Sequence, residues 1–263
     1  MKIIITGGAG FIGTNLITKL IPKKLDIISL DNYSTGSKEN ELNSVEYVKG
    51  DIDLINEFDS QDIDYCFHLA AQSLVGLSYK NPTTTWQTNV FGTLNILESI
   101  RKLKNACNVV IITSDKCYDN VEWVWGYRET DAMGGPDPYS ASKGAAELIF
   151  SAYSRSFFEA RNNLGTASAR AGNVIGGGDW AKDRIIPDCI RSWENEKKVK
   201  IRNPHSTRPW QHVFEPLSGY LHLGQQLSEN NDLNGKSFNF GPPEQNDHTV
   251  LELIEQIAKQ YDE

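Results

Sequence analysis

The sequence predicts an α/β fold, a doubly wound parallel sheet of the Rossmann type with a small C-terminal lobe. Three observations predict it. Short apolar runs alternate with helix-length segments over the first 172 residues. A glycine cluster sits between the first apolar run and the first helical pattern. Past Asn173 the texture changes to Gly-, Pro- and Arg-bearing stretches around helix-like pieces.

The elements follow in order. "KIIIT" reads as a strand, and Phe11, Ile12, Leu16, Ile17 and Leu20 then recur at helical spacing. "LDIISLD", "VEYVKGD" and "DYCFHLAA" are the next strands. A long helix carries Trp86, Val90, Leu94, Leu97 and Ile100. "NVVIITS" is a fifth strand, a helix runs from about Tyr139 to Phe158, and "GTASARAG" is a sixth strand. Residues 1–172 form the nucleotide-binding domain, to which 211–241 return through "SFNFG". Residues 173–210 and 242–263 form the lobe, which closes over the carboxyl edge of the sheet.

With 263 residues, 39% hydrophobic and 23% charged, the chain suits one large core with an appended lobe. A net charge of −8 does not suit nucleic acid or an anionic membrane, so neither is an expected partner. An anionic small ligand would have to be met by locally gathered Arg, Lys and backbone N–H groups. No apolar run reaches the length of a membrane span, and "MKIIITGGAG" is too short in its apolar part for a signal peptide. The four cysteines, Cys66, Cys107, Cys117 and Cys189, lack CxxC pairing and read as reduced residues of a cytoplasmic protein. No His/Cys/Asp cluster points to a metal. His68 and His212 are isolated and read as packed or hydrogen-bonded histidines.

"TGGAGFIG" places Gly7, Gly10 and Gly13 after a strand and into a helix. Glycine permits the tight turn and lets backbone N–H groups approach a pyrophosphate at the helix N-terminus. Strand before and helix after is the context that a dinucleotide fingerprint requires. Asp31 ends the second strand 18 residues beyond Gly13, where a carboxylate takes ribose hydroxyls and repels a 2′-phosphate. NAD is therefore expected over NADP. Asp51, with Ile52 after it, ends the third strand, where the two could flank an adenine; a solvated turn aspartate is the competing reading.

Three apolar residues run into Ser114, Asp115 and Lys116, so a hydroxyl, a carboxyl and an amine stand at a strand end. The alternatives are a polar loop and a proton-handling site. "YSASK" puts Tyr139 and Lys143 one helical turn apart on one face. A buried ammonium beside a phenol favours the phenolate, which would make Tyr139 a base although free tyrosine titrates near ~10.

The set Ser114, Tyr139 and Lys143, joined to the glycine fingerprint, resembles the short-chain dehydrogenase/reductase superfamily in its extended, nucleotide-sugar-modifying branch. "HLAAQ" at 68–72 and "NVFGT" at 89–93 match that branch. The stretches "TSDKCYDNVEWVWGYRETDAMGGPDPYSASKG", "ARAGNVIGGGDWAKDRIIPD" and "IRNPHSTRPWQHVFEPLSGYL" resemble the CDP-glucose 4,6-dehydratase family, from about Tyr65 to Gly241. Relatives that dehydrate dTDP-glucose carry Thr-Asp-Glu where this chain has Ser114-Asp115-Lys116; the CDP-sugar branch has Lys at the third position. The opening third is more similar to nucleotide-sugar 4-epimerases, and Gly76 stands where the CDP branch usually has Arg.

The resemblance implies an NAD-dependent internal redox dehydration of a nucleotide sugar, CDP-glucose favoured. Tyr139 and Lys143 would act on the sugar 4-hydroxyl, with Ser114 on the 4-oxygen. Asp115 would protonate the departing C6 hydroxyl, its carboxyl kept protonated by burial. Lys116 would remove the C5 proton as a neutral amine, depressed by Lys143 and burial, or stabilise the enolate as an ammonium; the competing reading is a loop lysine that orients Asp115. Cofactor contacts fall on Gly7, Gly10, Phe11, Ile12, Gly13, Asp31, Asn32, Asp51 and Ile52, on Leu69, Ala70 and Ala71, and on Tyr139 and Lys143. Ser73, Asn173, Arg184, Arg202 and Arg208 would hold the substrate, Arg208 gripping the diphosphate. Trp123, Trp125 and Trp180 read either as packing or as cytosine stacking. Relatives continue past "TVLELIEQIAKQYDE", so a shortened lobe is expected. A homodimer through the helices near 84–104 and 139–158 is expected by fold analogy. The rival readings are a 4-epimerase, which needs no acid at Asp115, and a catalytically silent NAD-binding regulator.

Overall fold

The computed structural model describes residues 1–52, 62–243 and 248–261. Seven parallel strands form the central sheet. They are β1 (Lys2–Thr6), β2 (Asp26–Asp31), β3 (Glu46–Lys49), β4 (Tyr65–His68), β5 (Cys107–Ile112), β6 (Leu164–Ala171) and β10 (Lys236–Phe240), in the order β10-β6-β5-β4-β1-β2-β3. β1 lies between β2 and β4, so the crossovers leave it in opposite directions and open a crevice at its carboxyl end.

The strands are apolar on both faces because helices cover both. In β1, Ile3 and Ile5 point to one layer and Ile4 to the other, as the two-residue period requires. The first layer is closed by α1 (Phe11–Leu20), through Leu16 and Ile17, and by α7 (Phe214–Glu229), through Leu217 and Tyr220. The second is closed by α4 (Gly92–Lys102), through Ile96, Leu97 and Ile100, and by α5 (Pro138–Tyr153), through Phe150. β6 is buried at all eight positions. Its small residues, "TASA", let both layers approach it.

The long helix expected around 84–104 is interrupted. After α2 (Val75–Lys80), α3 (Pro82–Trp86) passes through a π-helical turn at Gln87–Phe91 before α4 begins. The wider turn carries buried Asn89, whose amide donates to the Gln72 carbonyl at 3.0 Å and the Ser142 hydroxyl at 2.8 Å. It thereby ties the loop after β4 to α5. π-turns of this kind cluster at functional sites. α5 is started by the Asp137 carboxylate, which accepts from the Ser140 N–H at 3.0 Å, with Pro138 at the first helical position. A second π-turn, Ser154–Phe158, ends it and buries Phe158.

Beyond β6, β7 (Val174–Ile175) pairs in parallel with β9 (Gln211–His212). β8 (Thr207–Arg208) pairs antiparallel with β11 (His248–Thr249). α6 (Ile185–Glu194) and α8 (Val250–Tyr261) complete this region. Of the 242–263 stretch assigned to the lobe, residues 244–247 and 262–263 lie outside the described residues. Among the described residues no helix is long and apolar enough to cross a membrane.

Candidate active site

A cleft of about 1660 Å³ opens at the carboxyl edge of the sheet, and every site residue expected from the sequence lines it. At its floor, Gly7 has φ +75°, and a methyl group there would sit 2.8 Å from the Ala70 amide nitrogen. A methyl on Gly13 would overlap the Gly7 carbonyl oxygen. The turn therefore closes against Leu69 and Ala70 only because side chains are absent. Gly10 begins α1 with no side-chain cap, so the first-turn N–H groups are left for a ligand in the cleft. This cradle fits a dinucleotide pyrophosphate. Asp31 is 8% exposed, and its carboxylate accepts from the Ala9 N–H at 3.0 Å and the Tyr33 N–H at 2.7 Å. It braces the glycine loop and lines the cleft. Asn32 donates to the Asp51 carboxylate at 3.1 Å, and Ile52 is buried beneath Gly92.

Ser114, Asp115 and Lys116 occupy the short 3₁₀ turn that caps the end of β5. The Ser114 hydroxyl accepts from the Lys116 N–H at 3.2 Å and donates to the Asp115 carboxylate at 3.0 Å. The Lys116 ammonium lies 3.0 Å from Asp115 Oδ2. The burial expected for this pair is not present: the Lys116 and Asp115 side chains are 39% and 28% exposed, so both face the open cleft. Beside them, Tyr139 is 8% and Lys143 6% exposed on one face of α5.

The electrostatics differ from the sequence expectation. Burial raises the Tyr139 phenol above its ordinary range, and the Asp115 charge adds to this; the Ser114 hydrogen bond and the Arg184 charge act in the lowering direction. Lys143 is pulled down to about 8 by burial, against the charge of Glu147. In the chain by itself, then, the phenol keeps its proton at neutral pH, and Lys143 is poised near neutrality. Desolvation is the largest influence on both groups.

Arg184 donates to the Ser73 hydroxyl at 3.2 Å, which joins two of the expected substrate residues. Arg202 and Arg208 also line the cleft, as do Lys198 and Lys200. Asn173 accepts from the Gln211 N–H at 2.9 Å through its backbone carbonyl. A side chain at Gly76 would come 3.3 Å from the Asp183 carboxylate, so an acid stands beside this position. Trp180 lines the cleft, whereas Trp123 packs on Tyr127 at 5.4 Å. Among the described residues no group of His, Cys, Asp and Glu could hold a metal ion.

Three features were missed from the sequence. Tyr220 of α7 is 2% exposed, lines the cleft and feels the Asp115 charge. Glu147 and Arg170 form a buried ion pair at 2.6 Å. The third is the state of His68, which is 2% exposed. The Thr93 hydroxyl donates to the Asn89 carbonyl at 2.7 Å, so it accepts from His68 Nε2, and Thr6 then donates to Nδ1 at 2.7 Å. Burial, with Lys143 nearby, lowers His68 from 6.5 to about 3. The unfolded chain therefore binds a proton below pH 6.5 that the folded chain refuses. Stability is complete above that pH and falls by about 1.4 kcal/mol for each unit of acidification until pH 3. His68→Gln is expected to melt lower at pH 7.5 but to lose about 2 kcal/mol less than the parent on going from pH 6.5 to about 4.5. Melting temperature against pH for the two chains is the check.

A glycine turn feeding a helix at the switch point of a parallel sheet, with a buried Tyr/Lys pair across the crevice, defines a dinucleotide-binding α/β protein. The chain belongs to the NAD dependent epimerase/dehydratase family, whose model matches residues 3–241. It is 56% identical over 196 residues to the CDP-glucose 4,6-dehydratase of Salmonella typhimurium, covering 73% of this chain and 55% of that protein. It is 30% identical over 290 residues to the CDP-paratose 2-epimerase of Salmonella typhi, covering 97% of this chain and 82% of that protein. The fold superposes on an epimerase structure from Methanothermobacter thermautotrophicus with a TM-score of 0.87 and 25% identity, over 99% of this chain and 77% of that one. The chain thus spans about half the length of the dehydratase it matches.

Proposed function

We propose that the chain removes water from a nucleotide-activated hexose by an internal oxidation and reduction, converting CDP-glucose to CDP-4-keto-6-deoxyglucose with NAD as cofactor. The observation that carries this reading is the direct Asp115–Lys116 contact on the cleft wall beside Ser114, Tyr139 and Lys143. The likeness to the Salmonella dehydratase supports it.

Bound NAD⁺ supplies a reversible two-electron acceptor; the chain's own residues move the protons. Tyr139 accepts the proton of the sugar 4-hydroxyl while Ser114 holds the 4-oxygen. A ketone at C4 acidifies the proton on C5. The 3.0 Å contact gives a proton a path between Asp115 and Lys116, from carboxylate with ammonium to carboxylic acid with amine. The second form has a base for C5 and an acid for the C6 hydroxyl, which departs as water. After both transfers Lys116 is an ammonium and Asp115 a carboxylate; as hydride returns to C6 the ammonium, open to exchange with solvent, gives a proton back to C5, and the proton that Tyr139 took from the 4-hydroxyl replaces the one Asp115 lost to water, so no net proton is consumed. The cations that line the cleft, Arg184, Arg202 and Arg208 with Lys198 and Lys200, suit a diphosphate that the net charge of −8 would otherwise repel.

CDP-, UDP- and dTDP-glucose given separately to the NAD-loaded chain test the reading, with alkaline absorbance of the ketone and product mass as readouts. CDP-glucose alone is expected to yield a product lighter by one water. Inversion of the sugar at unchanged mass would make the chain an epimerase, and bound NAD without turnover would make it a silent binder. Lys116→Met is expected to slow both water loss and solvent exchange at C5 by about 10²-fold or more. Exchange at the parent rate would remove Lys116 from the chemistry.

A homodimer is part of the same proposal. Phe91, Leu148 and Phe157, on the π-turns and on α5, are 56%, 62% and 45% exposed, and burying them against a second copy would remove a large apolar surface from water. Sedimentation of the parent and of Leu148→Glu distinguishes dimer from monomer. The cytoplasm, where nucleotide-activated sugars are made and thiols stay reduced, suits four free, buried cysteines.

A further inference from the structure

The buried Glu147–Arg170 pair has no part in the proton transfers above, yet it touches most elements that carry them. Glu147 lies one helical turn beyond Lys143 on α5. Its carboxylate accepts from the hydroxyl of Thr113, the residue that leads β5 into Ser114. It also accepts from Ser168 of β6 at 2.9 Å and Ser237 of β10 at 3.2 Å. Arg170 completes the unit: it donates to Glu147, to the Tyr118 hydroxyl at 2.7 Å and to the Glu129 carbonyl at 3.0 Å. Tyr118 in turn donates to Asn239 of β10 at 2.6 Å. The chain before and after the Ser114–Lys116 turn is therefore held from one point, at Thr113 and at Tyr118.

We propose that Glu147, held as a carboxylate by its ion pair with Arg170, is a positioning residue for the catalytic centre: it fixes the strand end that presents Ser114 and places a negative charge behind Lys143. This rests on the dehydration reading for its kinetic consequence but not for its structural one. The charge argument involves few groups. Lys143 is faced by Glu147 and Tyr139 on its own helix, by His68 of β4 and by Cys117 of the 115–117 turn. His68 is neutral above pH 3 and Cys117 is buried as a thiol, so Glu147 is the anion among them. A salt bridge with no part in positioning the turn would need no hydroxyl from Thr113.

The test removes both charges together, in E147Q/R170Q, so that no uncompensated ion is left inside. The Lys143 Cε signal, in protein carrying ¹³C-labelled lysine and assigned by its loss in K143M, is followed against pH. The expected midpoint is about 8 in the parent and lower by about half a unit or more in the double variant. In turnover of CDP-glucose the double variant should lose kcat about tenfold with KM near the parent's, and the alkaline limb of its pH profile should move with the Lys143 midpoint. T113V, which leaves both charges in place, should also lose kcat while T113S keeps it. An unshifted Lys143 midpoint, or T113V matching T113S and the parent, would overturn the proposal. If the parent turns over no nucleotide sugar, the dehydration reading fails while the lysine titration still decides the role of Glu147. If E147Q/R170Q does not fold, folded T113V decides alone: loss of the Ser114-dependent lowering of the Tyr139 phenol titration supports the proposal, and an unchanged titration overturns it.

Discussion

Tyr139→Phe is expected to slow water loss by about 10²–10⁴-fold while the chain still binds NAD. The phenol stands beside Ser114, 8% exposed on α5, the helix that the Asp137 cap starts. Removing its oxygen leaves no acceptor for the sugar 4-hydroxyl proton, but it leaves the glycine cradle and Asp31 untouched. The pH dependence carries a second signature. Burial holds the phenol above its ordinary range, so the parent's rate should climb with pH through neutrality as the reactive phenolate becomes more populated. The residual rate of Tyr139→Phe should lack that climb. Rate against pH, with NAD binding measured separately, checks both points.

Glu147→Ala is expected to cost about 3–5 kcal/mol of stability, the largest stability effect foreseen here. Arg170 is 3% exposed, and without Glu147 its charge is left in the core with only a hydroxyl and a carbonyl as partners. Neutralising both partners is expected to recover most of that loss, because the pair's mutual attraction largely offsets its desolvation rather than exceeding it. Urea unfolding of the parent, Glu147→Ala and E147Q/R170Q measures the three states. A Glu147→Ala loss below about 1 kcal/mol would mean that water reaches Arg170 in the folded chain.

Much of the site could be read from the sequence because its parts are local. The turn of Gly7, Gly10 and Gly13 is contiguous with β1 and α1, and a period of two in "KIIIT" followed by helical spacing identifies both neighbours. Tyr139 and Lys143 are one turn apart, so any helix brings them to one face. Ser114–Lys116 follows an apolar strand, and a parallel sheet puts such strand ends at the carboxyl edge. What escaped the sequence depends on register between distant strands. Glu147 and Arg170 meet only because β6 pairs with β5 and α5 packs over both, and nothing near either residue announces a buried charge. His68 reads as any strand histidine until Thr6 and Thr93 are brought to its two nitrogens. The breaks at Gln87–Phe91 and Ser154–Phe158 leave the apolar spacing almost unchanged, so periodicity sees one continuous helix where the chain makes a π-turn. The exposure of Asp115 and Lys116 was misjudged for a related reason. The strand before them is buried, but the 3₁₀ turn lifts both side chains into the cleft.

The most direct test of internal redox dehydration follows an isotope. CDP-glucose carrying deuterium at C4 is incubated with the NAD-loaded chain in ordinary water, and the product is examined by mass spectrometry and NMR. The account predicts a product lighter by one water, with the deuterium moved to the C6 methyl group and a solvent-derived hydrogen at C5. Deuterium retained at C4 in a product of unchanged mass, or its absence from C6 in a dehydrated one, would contradict it.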